Sequence, residues 1–151
     1  MRRADRELND TADIEKIIRS AQVCRLAMVD DGEPYIVPLN FGYCDMTLFF
    51  HSAPEGRKIR LLKRAAQVCF EIDGEHELIR ADSPCNWGMR YASVIGYGVP
   101  RFIEGLEEKR VALSIIMAQF SDEAFEFSEQ AVAATAVFAV DITSMTGKRK
   151  P

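Results

Sequence analysis

The sequence lacks closely spaced cysteines, long apolar segments and an excess of positive charge. Its four cysteines, Cys24, Cys44, Cys69 and Cys85, are separated by 20, 25 and 16 positions. Structural zinc sites normally use pairs of cysteines only a few residues apart, so we predict no metal site. No segment approaches the roughly 20 apolar residues of a membrane helix, and the charged start MRRADRELND does not resemble a signal peptide. We therefore expect neither a membrane span nor a leader.

The charge balance is acidic and limits the classes of partner. The formal net charge is -4, from 19 Lys and Arg against 23 Asp and Glu. Nucleic-acid binding needs a broad cationic surface, which excludes nucleic acid as the main partner and leaves room for a local basic pocket. We expect a cytoplasmic protein with reduced thiols, in which Cys24 and Cys69 lie in apolar segments as small core residues.

The pattern of apolar and polar residues along the chain predicts one domain over residues 1–151, mainly β with peripheral helices. Helical periodicity marks three segments, NDTADIEKIIRSA, PEGRKIRLLKRA and LEEKRVALSIIMAQF. Six segments have the composition of strands: VCRLAMVD, PYIVPLNFGY, MTLFFHS, AQVCFEIDGEHELI, YASVIGYGVPRFI and ATAVFAVDITSMTGK. Short turns join most of them, and no regular βαβ alternation occurs. This order favours an antiparallel barrel with helices packed outside it.

Glycine and proline refine this prediction at five places. Asp31-Gly32 is a strong hairpin signal, and Asp73-Gly74 is a candidate for a second hairpin. Pro38 cannot donate to a neighbouring strand, so its strand should be an edge or contain a bulge. Gly96 and Gly98 suggest a bend or bulge in a long strand. Pro100 should be paired only locally or at an edge.

The segment FFHSAPEGRKIRLLKRA combines the end of a strand, a tight turn and the start of a basic helix. Basic side chains in a first helical turn face the positive end of the helix dipole, which is unfavourable unless an anion is present. A phosphate there could accept hydrogen bonds from Ser52, Arg57, Lys58 and the backbone. The competing interpretation is a solvated basic face, which Arg60, Lys63 and Arg64 form further along. The segment is not a Walker loop, because the GxxxxGK[ST] pattern is absent.

Two other segments could contact a ligand. Around Pro38, in IVPLN, the backbone could face a flat polar molecule and Asn40 could add its amide; the alternative is a plain edge strand. CNWGMRYASVIGYG supplies aromatic surface and Arg90, although aromatic residues in a strand are usually core. His76 lies among acidic residues and is interpreted as solvated. We find no nucleophilic triad or Cys/His pair, so no catalytic residue is assigned.

Taken in order, the segments YIVPLNFGY, LFFHSAPEGRKIRLLKR, VCFEID and CNWGMRYASVIGYG resemble the pyridoxamine 5'-phosphate oxidase-related flavoproteins, and most of all the 5-nitroimidazole resistance (Nim-type) proteins. The similarity covers roughly residues 21–120. It implies an antiparallel split β-barrel that forms a homodimer, with FMN at the subunit interface and a small-molecule acceptor. FAD, a deazaflavin or haem would be the alternative cofactors.

The resemblance also implies roles for individual residues. One strand would lie along the isoalloxazine ring, a second group would hold the phosphate, and a third would reach the flavin of the partner subunit. These groups are Val37, Pro38, Leu39 and Asn40; His51, Ser52, Arg57 and Lys58; and Trp87, Arg90, Tyr91 and Ser93. The chain departs from the family pattern at Ala92 and at Val99-Pro100, where relatives carry a basic residue, so any anion contact at those two places is in doubt.

Three functions stay open on the sequence. The first is an FMN-dependent oxidoreductase that reduces a small acceptor such as a nitroimidazole or another nitroaromatic compound. The second is a non-catalytic flavin or haem binding or sensing protein, with His51 as the candidate haem ligand. The third, pyridoxamine 5'-phosphate oxidation, ranks lowest, because only Lys148, Arg149 and Lys150 near the end of the chain could hold the substrate phosphate.

Overall fold

Eight antiparallel strands form one sheet in the computed structural model, which describes residues 3–151. Residues 1 and 2 of the predicted domain lie outside the described part. The strands are β1 Glu7–Leu8, β2 Cys24–Asp30, β3 Glu33–Leu39, β4 Gly42–Cys44, β5 Thr47–Ser52, β6 Val68–Ile79, β7 Gly88–Ile103 and β8 Ala136–Lys150. The helices are α1 Thr11–Ser20, α2 Arg57–Leu62, α3 Leu106–Ala118 and α4 Glu129–Ala134, with 3-10 turns at Ala4–Arg6 and Pro84–Asn86. None of the described helices is long and apolar enough to cross a membrane.

The order of the strands is that of a split barrel. Neighbours pair in the order β3-β2-β6-β7-β8-β5-β4, and β1 adds to β8 beside this path. Strands β3 and β4 end the path, and they follow each other in sequence without pairing. The predicted antiparallel split barrel with peripheral helices is therefore confirmed.

The core lies inside the curved sheet and follows the alternation of the strands. Leu26 on β2, Phe70 on β6 and Val94 on β7 are fully buried, and Phe50 stacks on Phe138 with ring centroids 5.1 Å apart. Helix α1 adds its predicted apolar stripe, because Ile14, Ile17 and Ile18 are all buried. One face of each strand is thus committed to the core, and its other face is left for contacts outside the barrel.

Turn chemistry explains one correct prediction and one error. Asp31 and Gly32 both have positive φ, 50° and 91°, and join β2 to β3 as predicted. The candidate hairpin at Asp73-Gly74 is wrong: β6 continues through it from Val68 to Ile79, paired with β7 on both sides of a bulge between Gly74 and Glu77. A bulge and a hairpin both call for local left-handed backbone, and here Glu75 supplies it with φ 57°. Because β6 pairs with β7 on both sides of the bulge, the strand continues through Asp73-Gly74 and does not turn back.

The prolines lie where the sheet needs no donor. Pro38 is on β3, an edge strand, as predicted. Pro100 pairs with Val140 of β8, while the pairing between β7 and β6 has already ended at Gly98. The predicted irregularity near Gly98 is also present, as a register shift between Tyr97 and Gly98 against β8.

Three elements were not predicted. The segment PYIVPLNFGY divides into β3 and the three-residue β4, because Asn40 and Phe41 leave the ladder and the Asn40 amide donates to the Gln22 carbonyl at 3.0 Å. Strand β1 is only two residues long, too short to produce a pattern. Helix α4 is capped by the Ser128 hydroxyl and is only six residues long.

Candidate functional site

The start of α2 lies against the hairpin that joins β2 to β3. Gly56, with φ 123°, turns the chain into the helix. Arg57 then donates from Nε to Asp30 Oδ2 at 2.8 Å, and its guanidinium lies 4.4 Å from the centroid of the Tyr35 ring. Its terminal Nη2 is 4.0 Å from Glu33 Oε2. One edge of the guanidinium is therefore held, while its terminal nitrogens make only a long contact to an exposed carboxylate.

Three arginines converge on Asp30, whose side chain is only 11% exposed. Arg60 donates to both carboxylate oxygens at 3.2 and 3.0 Å, and Arg64 approaches to 3.6 Å. Hydrogen bonds from Arg60 and Arg57 lower the pKa of Asp30 to about 2. The predicted solvated face of Arg60 and Arg64 is exposed but is also organised around this carboxylate. The three arginines share this half-buried carboxylate, and Glu33 makes only a long contact to one of them.

The other predicted phosphate ligands lie next to this basic cluster along the chain. Lys58 is half-buried, burial lowers its pKa, and among residues 3–151 no carboxylate lies within 4.0 Å of its ammonium group. Ser52 is half-buried at the end of β5 and donates to the Ala53 carbonyl at 2.8 Å. His51 is exposed beside it. A half-buried lysine without a counter-charge is costly, and an anion would relieve that cost.

The predicted ring-binding strand is β3, which begins at the hairpin beside α2. Val37 and Leu39 turn toward the core and pack against it, whereas Pro38 is exposed on the other face. Tyr35, which contacts Arg57, precedes Val37 by two residues on β3. Arg57 therefore contacts the edge strand at Tyr35, at the hairpin end of the segment that continues into Val37 to Asn40.

The third predicted group is far from the predicted phosphate group along β8 within one chain. Strand β8 pairs Ala136 with Ser52 at one end and Lys150 with Tyr91 at the other. These two positions stand 14 residues apart, a strand contour of roughly 45 Å. One chain therefore does not gather all twelve predicted residues around one flavin.

The third group has local contacts of its own. Trp87, 46% exposed, donates from Nε1 to the Ala81 carbonyl at 2.7 Å. Arg90 is paired with Glu77, and Ser93 is half-buried. Tyr91 accepts from Arg6 Nη1 at 3.5 Å, and Lys148 and Arg6 together lower its pKa.

Sequence reasoning missed Asp30 and Tyr35, the residues that hold Arg57. Asp30 was seen only as the end of a strand before the Asp31-Gly32 turn, and nothing local distinguishes it from a solvated turn residue. A signal was nevertheless available: Asp30 ends β2 at the hairpin, so any helix that crosses the hairpin would meet its carboxylate.

Surface grooves also lie beside the end of β7. One of about 580 Å³ runs between α3 and the end of β7, over the apolar side chains of Phe49, Ile103 and Val111. Another of about 240 Å³ lies beside Lys63 and Lys109. Within the described part of the chain, no group of three or more His, Cys, Asp or Glu side chains is arranged to hold a metal ion.

Comparison with known proteins gives one family. The sequence model of the family described as pyridoxamine 5'-phosphate oxidase matches residues 10–149. A candidate 5-nitroimidazole antibiotic resistance protein from Bacteroides thetaiotaomicron is 41% identical, with a TM-score of 0.86 over 95% of this chain and 86% of that one. No curated protein sequence matches the chain.

Two further structures share the fold at lower identity. The FAD-binding protein of Mycobacterium smegmatis is 25% identical, with a TM-score of 0.66 over 95% of this chain and 96% of that one. The FAD and haem binding protein of the same organism is 20% identical, with a TM-score of 0.85 over 96% of this chain and 73% of that one. At 20% identity the second likeness concerns the fold alone.

Proposed function

The chain belongs to the pyridoxamine 5'-phosphate oxidase family, and from that membership we propose that it binds a flavin, FMN in the first place, and transfers electrons from it to a small acceptor. The observation that carries the proposal is the contact of Arg57, at the start of α2, with Tyr35 on β3, the edge strand that continues into Val37 to Asn40. The FAD-binding protein of Mycobacterium smegmatis, at 25% identity, supports it.

The residues fit a phosphate at the start of α2. The guanidinium of Arg57 keeps its terminal nitrogens available, because Asp30 takes Nε. Lys58 offers an ammonium group without a carboxylate within 4.0 Å among residues 3–151, and the Ser52 hydroxyl lies at the adjoining strand end. Bidentate and charge-assisted hydrogen bonds of this kind are the strongest that a protein offers a phosphate.

The isoalloxazine ring of the flavin would lie along β3. This strand ends the sheet path, so one edge of its backbone is unpaired and can donate to and accept from a flat polar ring. Pro38 removes one donor from that edge. A bound flavin supplies the redox chemistry, and the protein supplies orientation and charge. The acceptor that the description of the Bacteroides thetaiotaomicron relative suggests is a nitroimidazole or another nitroaromatic compound.

A homodimer would complete the site. Across five neighbouring strands, one row of outward-facing residues runs Ile36, Ala27, Cys69, Tyr97, Ser144. Ile36 is 61% exposed and Tyr97 46%. A second copy is the partner proposed for this face, since it would bury the row and bring the distant group of Trp87, Arg90, Tyr91 and Ser93 toward the flavin of its neighbour.

Flavin titration tests the proposal. Purified protein should show flavin absorbance after addition of FMN. Replacing Arg57 and Lys58 by alanine should weaken binding by more than about 2 kcal/mol, roughly thirtyfold, because each charge-assisted hydrogen bond contributes about 1.5–3 kcal/mol. The matched control, Lys16→Ala with Arg19→Ala, removes the same charge from exposed positions on α1 and should leave affinity within about twofold. Equal loss in both variants, or no binding by the native protein, refutes the site.

A non-catalytic flavin or haem binding protein is the second candidate. It is favoured by His51, an exposed imidazole at the end of β5 beside the proposed phosphate site. A Soret band that disappears in His51→Ala would support haem binding. Bound FMN without turnover, when NADPH and several nitroaromatic acceptors are supplied, would instead indicate storage or sensing.

A further inference from the structure

A groove of about 240 Å³ lies where α2, α3 and α4 meet the end of β7 and the start of β8. Its lining is largely apolar, since Ile59 of α2, Ile103 of β7 and Val137 of β8 all border it and are all buried. We call it the α2–α3 groove. Sites for drug-sized ligands usually hold roughly 300–1,000 Å³, so this groove suits a smaller molecule.

Two lysine side chains line the groove without a counter-charge. Among residues 3–151, no carboxylate lies within 4.0 Å of the ammonium group of Lys63 or Lys109. Lys109 is half-buried and donates from Nζ to the Thr135 carbonyl at 2.9 Å. Lys63 Nζ lies 5.6 Å from the centroid of the Phe102 ring, which also borders the groove. An ammonium group has three donors, so both lysines keep donors for a ligand.

The position of Lys109 is unfavourable without a ligand. It lies in the first turn of α3, at the positive end of the helix dipole. Glu107 and Glu108 share this turn, but both are exposed, and neither lies within 4.0 Å of the Lys109 ammonium group. Partial burial adds a desolvation cost for the cation, and an anion in the groove would offset both effects.

The charges that line the groove match a single negative charge. Its lining contains one carboxylate, the exposed Glu104, against the two ammonium groups of Lys63 and Lys109. A monoanion would neutralise the excess cation, whereas a phosphate dianion would leave a negative charge behind. Because most of the remaining lining is apolar, the rest of the ligand should be apolar as well.

The α2–α3 groove is separate from the proposed flavin site. Lys63 follows Arg57 by six residues, which places it roughly 9 Å further along the helix axis and about a third of a turn around it. Arg57 contacts Tyr35 on β3. Lys63 instead faces Phe102 on β7, which two strands separate from β3 in the sheet. None of the residues assigned above to the flavin, or to the face proposed to meet a second copy, lines the groove.

We propose that the α2–α3 groove binds a small monocarboxylic acid with an apolar body. The carboxylate accepts charge-assisted hydrogen bonds from Lys63 and Lys109, and the apolar body covers the three buried side chains of the lining. Lys109 is already held by the Thr135 carbonyl, so little of its side-chain freedom is lost on binding. The proposal does not depend on flavin binding.

Hexanoate is the probe, titrated at constant pH and ionic strength and followed by amide chemical shifts in NMR spectra of the whole chain. Saturable shifts are expected at Phe102, Lys109 and Thr135. Hexan-1-ol, which lacks the charge, and acetate, which lacks the apolar chain, should each bind more weakly by about tenfold or more. The reason is that a charge-assisted hydrogen bond contributes about tenfold or more to affinity, and each buried methylene about fourfold.

Lys63→Met and Lys109→Met should each weaken hexanoate binding by about tenfold or more, because each removes a charge-assisted hydrogen bond. The Lys63 side chain makes no hydrogen bond to the protein within residues 3–151, so Lys63→Met should keep the fold, which thermal unfolding checks. Lys16→Met removes an equal charge from an exposed position on α1 and should change the affinity by less than about twofold.

The Arg57→Ala, Lys58→Ala protein separates this proposal from the flavin site. It should bind hexanoate as the native protein does, whether or not the native protein binds flavin. Any of four results would overturn the proposal: no saturable shifts, equal affinity for hexanoate and hexan-1-ol, tighter binding of inorganic phosphate than of hexanoate, or no greater weakening in Lys63→Met than in Lys16→Met.

Discussion

Asp30 shows how a single carboxylate can prepare a cationic side chain for a ligand. It accepts a hydrogen bond from Arg57 Nε at 2.8 Å, and the Arg57 guanidinium lies over the Tyr35 ring, 4.4 Å from its centroid. Both contacts restrict a long side chain that would otherwise lose rotamer freedom on binding a phosphate. Asp30 is thus a positioning residue, acting on the ligand through Arg57.

The role of Asp30 can be tested by the direction in which Asp30→Asn changes the affinity for flavin. Coulomb's law alone says that Asp30→Asn, by removing a negative charge near a bound phosphate, should strengthen flavin binding. We expect the opposite, a weakening of about three- to tenfold, because Arg57 loses its fixed orientation. Flavin fluorescence titration measures the effect.

The neighbouring aspartate provides the control for this change. Asp31→Asn removes the same charge from the hairpin, and asparagine tolerates the positive φ of 50° at that position. Its affinity for FMN should stay within about twofold of the native value. If Asp30→Asn binds FMN as tightly as the native protein, or more tightly, Asp30 does not position Arg57.

At the scale of elements, the short strand β4 depends on the closeness of α3. A Cβ atom built on Gly42 would lie 2.5 Å from the Ile115 carbonyl oxygen and 2.6 Å from the Ile116 Cα. Backbone atoms cannot move aside as a flexible side chain can. The glycine therefore lets helix α3 lie directly against β4, at the end of the split in the barrel.

We predict that Gly42→Ala lowers the free energy of unfolding by about 1–3 kcal/mol, through a clash with the α3 backbone. Gly74→Ala is the matched control, because nothing lies within 4 Å of the Cβ it would add; its effect should stay within about 0.5 kcal/mol. Urea denaturation of both variants gives the comparison. Similar losses in the two would mean that the contact between β4 and α3 does not control stability.

At the scale of the whole molecule, the outer face of the sheet is more apolar than a solvent face needs to be. On β7 the outward residues Ile95, Tyr97 and Val99 are 48%, 46% and 44% exposed, in an unbroken alternation with buried neighbours. Scattered surface apolar residues are normal, but a contiguous patch marks an interface. This is the face proposed to meet a second copy of the chain.

Ile95→Glu should therefore convert the proposed dimer into a monomer, because a buried unpaired carboxylate would lie in the interface. Light scattering after size-exclusion chromatography distinguishes the 17.0 kDa chain from a particle of twice that mass. Val111→Glu, at a residue 61% exposed on α3, should leave the mass unchanged. A native protein that is already monomeric, or an Ile95→Glu protein that stays dimeric, contradicts this interface.

Local chemistry made part of this molecule predictable from its sequence. The Asp31-Gly32 turn, the helical periodicity of α1 and the edge position of Pro38 each depend on a few adjacent residues, and the structure confirms all three. The Asp73-Gly74 hairpin failed because the same dipeptide suits a bulge. Only the pairing partner decides between the two, and β7 passes alongside β6 on both sides of this dipeptide.

The sequence by itself determined the alternation that buries one face of each strand, the antiparallel barrel and the basic start of α2. These follow from backbone geometry and from the burial of apolar side chains, both of which act over a few residues. Tertiary structure alone decided that Asp30 would meet Arg57, 27 positions later, and that Tyr91 would meet Arg6 and Lys148 from distant parts of the chain. Such meetings depend on strand register and on how the barrel closes, and no local pattern of residue types encodes them.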